Sequence, residues 1–168
     1  MKIGFESIVL DALEEPVSFV DCDYRYQYVN HSYVELFGKA KEEIVQKRVQ
    51  DLIGEENFFQ EVKSRLDKAL KGKIVSFINP MKKEGRIIYL HMRYNPQFNE
   101  KGKVYGVVSI AKDITDQVIL RKEKDMVYND WINSVNSIDD VLMILDPDRN
   151  ILEINNPGLE LFHKSREN

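Results

Sequence analysis

Residues 17–38 read Val17-Ser18-Phe19-Val20-Asp21-Cys22-Asp23-Tyr24-Arg25-Tyr26-Gln27-Tyr28-Val29-Asn30-His31-Ser32-Tyr33-Val34-Glu35-Leu36-Phe37-Gly38. The first six residues and Arg25 to Asn30 are β-branched and aromatic runs on either side of Asp23-Tyr24, a turn-compatible pair, and so predict a hairpin. Asn30 is a good N-cap. Beyond it Tyr33, Val34 and Phe37 fall three or four apart and Gly38 supplies a left-handed stop, which predicts a helix of about two turns. Upstream, Ile3, Phe5, Ile8, Val9, Ala12 and Leu13 recur at helical spacing until Pro16, which predicts a short amphipathic helix.

Downstream, short helical pieces are predicted around Lys41 to Val45 and Val49 to Ile53. A longer helix is expected from Glu55 to Lys71, with Phe58, Phe59, Val62, Leu66, Ala69 and Leu70 as its buried stripe and Gly72 as its close. The period then drops to two. Lys73 to Met81, Arg86 to Pro96 and Lys103 to Ile114 predict three consecutive antiparallel strands, joined through Lys83-Glu84-Gly85 and Asn99-Glu100-Lys101-Gly102. Two strands, a cluster of helices and three more strands make an α+β fold: a five-stranded antiparallel sheet with helices on one face.

The ordered series Val20-Asp21, Tyr28-Val29-Asn30, Glu35-Leu36-Phe37-Gly38, Lys83-Glu84-Gly85-Arg86-Ile87-Ile88-Tyr89, Asn95-Pro96, Gly102-Lys103-Val104-Tyr105-Gly106-Val107 and Asp113-Ile114-Thr115 strongly resembles a PAS domain over residues 1–115. The resemblance implies a small pocket between the helices and the concave sheet face. It also implies sensing, dimerisation or signal relay rather than catalysis.

The chain also resembles itself. A shift of 125 places Asp21, Asp23, Asn30, Glu35, Leu36, Phe37, Lys39 and Glu42 on the identical residues Asp146, Asp148, Asn155, Glu160, Leu161, Phe162, Lys164 and Glu167 without a gap. Val17-Ser18-Phe19-Val20 faces Leu142-Met143-Ile144-Leu145 in the same comparison. Residues 139–168 are therefore expected to open a second, truncated PAS-like copy, since the sequence stops before a long helix and three further strands. Such a copy is expected to be partly unfolded or to dock its apolar strands and the Trp131 helix on a neighbouring chain.

Residues 116–138 lack Gly and Pro from Gln117 onward and predict a helical linker. Tyr128, Trp131, Val135, Ile138 and Leu142 fall on an a/d spacing, whereas Arg121 and Lys124 would occupy the same seam one heptad earlier. Two readings stand: a solvated connector whose C-terminal half opens the second copy, or a parallel dimeric helix that relays signals. In PAS proteins the Asp-Ile-Thr segment commonly marks where such a helix departs, and here Asp113, Ile114 and Thr115 occupy that place, with Asp113 or Thr115 as candidate cap.

Composition narrows the function classes. With 24 basic and 28 acidic side chains, a net charge of −4 and pI near 5.5, the chain has no cationic excess for nucleic acid or an anionic membrane. No apolar run approaches the roughly 18–20 residues that span a bilayer, and the N-terminus lacks a signal peptide. Cys22 is the sole cysteine, which fits a cytoplasmic segment, although the parent protein could be membrane-anchored elsewhere. No phosphate loop, nucleophile elbow or metal-spaced histidine pair is present, so no catalytic residue and no metal site are assigned. The adjacent pairs Glu14-Glu15, Glu42-Glu43 and Glu55-Glu56 do not face each other on a helix and read as solvated.

Any cofactor is left unknown. The cysteine run of flavin-photoadduct LOV relatives is absent, and the long helix has no histidine of the kind that ligates haem in PAS relatives; both are disfavoured. His31, His91 and His163 read as structural or surface residues. Three functional readings remain. Tyr33, Phe37, Phe58, Leu66, Leu90, Met92 and Ser109 are candidate lining for a small-molecule pocket, or equally ordinary core. Alternatively the domain is a ligand-free homodimerisation and relay module, with Ile3, Phe5, Ile8 and Val9 as its interface. Finally, the chain is a piece of a parent whose output domain lies beyond Asn168: a histidine kinase by association with such arrays, or else a diguanylate cyclase or transcriptional activator.

Overall fold

A single side chain fastens the start of the chain to its sheet. Asn30 is fully buried; its Oδ1 accepts from the backbone N–H of Val17 at 2.8 Å and of Tyr33 at 3.0 Å, and its Nδ2 donates to the carbonyls of Leu10 and Glu15. The computed structural model describes residues 5–164, with side chains described for 8–162. Helix α1 (Phe5–Asp11) precedes β1 (Val17–Asp21) and β2 (Tyr26–Val29), which form the expected hairpin. Its turn is held by Asp21, whose Oδ1 accepts from the backbone N–H groups of Asp23 and Arg25. Helix α2 (His31–Phe37) starts on the Asn30 cap and ends at Gly38 in the left-handed conformation.

Helices α3 (Lys41–Ile44) and α4 (Val49–Ile53) follow, then α5 (Glu55–Asn57), a π-helical segment at Phe58–Val62, and α6 (Lys63–Leu70). The predicted single α-helix over 55–71 is thus interrupted. In the wide turn the Lys63 N–H reaches back to the Phe58 carbonyl, five residues away, and this changes the phase of the stripe. Phe58 is buried, whereas Phe59 is 57% exposed, against the expectation that both face inward.

Strands β3 (Val75–Lys83), β4 (Arg86–Phe98) and β5 (Val104–Asp113) complete one five-stranded antiparallel sheet in the order β2-β1-β5-β4-β3. Pro80 is tolerated because β3 is an edge strand. Pro96 lies in β4 beyond Tyr94, the last residue of that strand paired with β3, so its missing N–H leaves no gap in that ladder. The helices share one face of the sheet, where Val29, Ile44, Phe58 and Val107 are at most 1% exposed. Each such side chain contributes about 1.5–3 kcal/mol of apolar burial. On the other face Gly106 lets β1 and β5 approach, because a Cβ there would run into the Phe19 ring and the Val20 carbonyl.

Contacts divide the chain into two compact units, residues 1–115 and 116–168. The second holds α7 (Thr115–Asn136, apart from its first residue), a β6–β7 hairpin (Met143–Leu145, Ile151–Ile154) and α8 (Asn156–Lys164). Its hydrogen bonds repeat those of the first at a spacing of 125 residues. Asn155 Oδ1 accepts from Leu142 and Gly158 N–H, and Nδ2 donates to Val135 and Asp140 carbonyls, where Asn30 serves Val17, Tyr33, Leu10 and Glu15. Both hairpins carry an irregularity at the matching step, Phe19/Val20 and Ile144/Leu145, and a left-handed residue at Tyr24 and Arg149. The strands are formed, and Met143, Ile144, Leu145, Ile151 and Leu152 are exposed.

Candidate functional site: a cavity between sheet and helices

The sheet register lays out the wall of a cavity in the first unit. Ser18 of β1 lies opposite Ser109 of β5, which lies opposite Tyr94 of β4, so one row across three strands is polar. The next row is apolar: Ala111 opposite Met92, and Met92 opposite Phe77 of β3. These side chains, with Leu90, face Tyr33, Leu36 and Phe37 of α2, Leu52 and Ile53 of α4, and Val62 and Leu66 on the helical side. They enclose a cavity of about 690 Å³, within the range of sites that hold small organic molecules.

Of the seven residues singled out from sequence, Tyr33, Phe37, Leu66, Leu90, Met92 and Ser109 line this cavity. Phe58 does not. It is 1% exposed and packs edge-on against Tyr24 with ring centroids 5.4 Å apart, a core position set by the π turn. Sequence reasoning missed Ser18, Tyr26, Tyr94 and Phe77. The usable signal for Tyr94 was period two, since it continues the face of Leu90 and Met92; Ser18 and Phe77 become readable only once strand register is known.

Three phenols shape the polar side of the cavity. The Tyr33 hydroxyl donates to the Tyr26 hydroxyl at 2.8 Å, and Ser18 lines the same wall. Burial pushes Tyr33 up to about 12 and holds Tyr26 and Tyr94 well above the ordinary phenol range, so all three are neutral at physiological pH. Apart from these phenols, ionisable lining is confined to Lys82, Lys83 and Glu84 at the β3–β4 hairpin, where Lys82 and Glu84 are exposed. His91 pairs with Ile78 on the opposite sheet face, its Nε2 2.7 Å from Ser76 Oγ; His31 is exposed beside Glu35, and Cys22 is exposed and outside the cavity. Among the described residues, no group of three or more His, Cys, Asp or Glu is placed to hold a metal ion.

The wall is joined to the start of α7. Asp113 Oδ1 accepts from the Thr115 N–H at 2.8 Å and from its hydroxyl, while Thr115 Oγ1 accepts from the Tyr89 N–H at 2.9 Å. The Ile114 N–H donates to the Tyr89 carbonyl, and Asp113 lies opposite Leu90. On α1, Ile8 and Val9 are 55% and 47% exposed; Ile3 lies outside the described residues, as does the Phe5 side chain.

The PAS fold family matches residues 10–119 of this sequence. The chain belongs to the PAS family. Its PAS fold is shared with the PAS domain of Bordetella pertussis BvgS at 20% identity, covering 74% of this chain and 96% of that one, with a TM-score of 0.58. An RNA-binding light-oxygen-voltage receptor is similar at 16% identity over 75% of this chain, TM-score 0.60, and the PAS-containing chain spans only 36% of that receptor's length. A PAS domain from a two-component sensor histidine kinase is similar at 14% identity over 65% of this chain and 93% of that domain, TM-score 0.51. No curated protein matches the chain. PAS domains are sensory modules, and among the described residues no helix is long and apolar enough to cross a membrane.

Proposed function

We propose that the first unit is the sensory module of a signal-transduction protein, binding a small molecule in its cavity and relaying occupancy through α7. The observation that carries this reading is the Tyr89–Thr115 hydrogen bond. Tyr89 is flanked in β4 by Leu90, which lines the cavity, and Thr115 is the first residue of α7, so one strand both walls the cavity and holds the root of the helix. A ligand that binds the two positions of this strand unequally shifts the helix with it. Mass spectrometry of material released from natively purified protein tests the binding step. A stoichiometric small molecule supports it.

The exposed apolar side chains of Ile8 and Val9 on α1, and of Ile78 and Ile87 on the sheet face away from the cavity, favour a second reading in which the module pairs with a second copy and relays without a ligand. A stable dimer whose cavity yields no compound selects that reading. The repetition of the Asn30 hydrogen bonds around Asn155 supports residues 139–168 as the opening of a second PAS-like copy, and residues 116–138 as its linker. Tandem sensory copies fit a parent histidine kinase, with a diguanylate cyclase or transcriptional activator as alternatives. The reading frame around this segment, expressed and assayed for autophosphorylation, decides among them.

A further inference from the structure

The following inference rests on the cavity being a ligand site and concerns what enters it. We propose that the cavity takes a neutral, ring-bearing molecule that presents a hydrogen-bond acceptor to the Ser18–Ser109 row of the sheet.

Charge is the first argument. Away from the β3–β4 hairpin the lining holds no ionisable acid or base except phenols, and those are kept neutral by burial. A charged group placed against Leu66 and Met92 would lose its hydration with no counter-charge in the lining there, and the Arg65 guanidinium stacked on Phe77 is already paired with Glu61, so the cost is several kcal/mol. An ionised substituent is tolerated only at the hairpin end, beside Lys82 and Lys83.

Hydrogen counting gives the second. The Tyr33 and Tyr26 hydroxyls share one hydrogen bond, in which Tyr33 donates. Two phenols carry two hydrogens, and their link uses one of them. The Tyr26 O–H hydrogen remains, and Ser18 and Ser109, directly opposite each other, add two more hydroxyls to the same wall. An idle buried donor costs more than an idle lone pair, so the matching ligand brings an acceptor, such as a carbonyl oxygen or ring nitrogen. Phe37, Phe77 and Met92 supply the flat, polarisable surfaces that a ring prefers.

Three bicyclic probes of nearly equal size separate these terms: quinoline, whose ring nitrogen accepts; naphthalene, which has no acceptor; and 2-naphthoate, which is anionic. They are titrated at pH 7.5 into the full chain, observed by amide NMR. Quinoline is expected to bind about fivefold more tightly than naphthalene, with 2-naphthoate weakest and shifts centred on Ser18, Met92 and Ser109. Ser109→Ala and, separately, Ser18→Ala should bring the quinoline-to-naphthalene ratio toward one while leaving naphthalene binding unchanged, which also reports that the cavity is intact. If 2-naphthoate binds best, or the ratio is already near one in the native chain, the ligand class is wrong but the cavity remains a binding site. If no probe binds up to its solubility limit, both this inference and the ligand reading fall.

Discussion

The Asn30 amide joins α1, β1 and α2 through hydrogen bonds to Leu10, Glu15, Val17 and Tyr33. The cap follows from an amide side chain ahead of a helical stripe; that the same amide also closes on Leu10 and Glu15 depends on how three elements meet in space. Asn30→Ala strands two N–H groups and two carbonyls, and should lower unfolding free energy by about 2–4 kcal/mol in urea denaturation. The phenols make a second prediction at this scale. Tyr33 is raised by burial, so the unfolded chain releases its proton first as pH rises. Its contribution is intact below the unfolded value near 10 and is lost as pH climbs towards about 12. Wild-type stability should therefore fall across that window by the order of 2 kcal/mol more than that of Tyr33→Phe, and the 295 nm phenolate absorbance of the folded protein should lag that of the denatured chain.

At the scale of elements, periodicity recovered the hairpin, α2 and the three long strands, because each buries one face and alternates accordingly. It failed at residues 55–71. Phe58 and Phe59 both fit a regular α-helical stripe, but a five-residue turn sends Phe58 into the core and Phe59 to solvent, and adjacent phenylalanines carry no mark of that choice. Cavity positions were readable in part for a related reason: Leu90 and Met92 share a face by alternation, whereas Ser18 joins them only through the pairing of β1 with β5. That pairing rests on Gly106. Gly106→Ala must push apart the Phe19 ring and the Val20 backbone, and should destabilise the first unit by roughly 1–3 kcal/mol, with increased amide exchange along β1 and β5. Wild-type protection in that variant would show that the sheet relaxes freely there.

At the scale of the whole molecule, the 125-residue repeat was visible as identities and reappears as hydrogen bonds, since Asp146 receives the Asn150 N–H as Asp21 receives that of Arg25. Asn155→Ala should accordingly increase amide exchange in β6, β7 and α8 while leaving the exchange of residues 17–113 unchanged. The central claim, that occupancy of the PAS cavity reaches α7 through β4, is tested most directly by hydrogen exchange across residues 110–125 with and without saturating quinoline. Binding should change exchange at Asp113 to Thr115 and in the first turn of α7, and Thr115→Val should abolish that change while leaving the affinity for quinoline within about twofold. Protection confined to the cavity walls, with residues 113–120 unaltered in the native chain, would contradict the account.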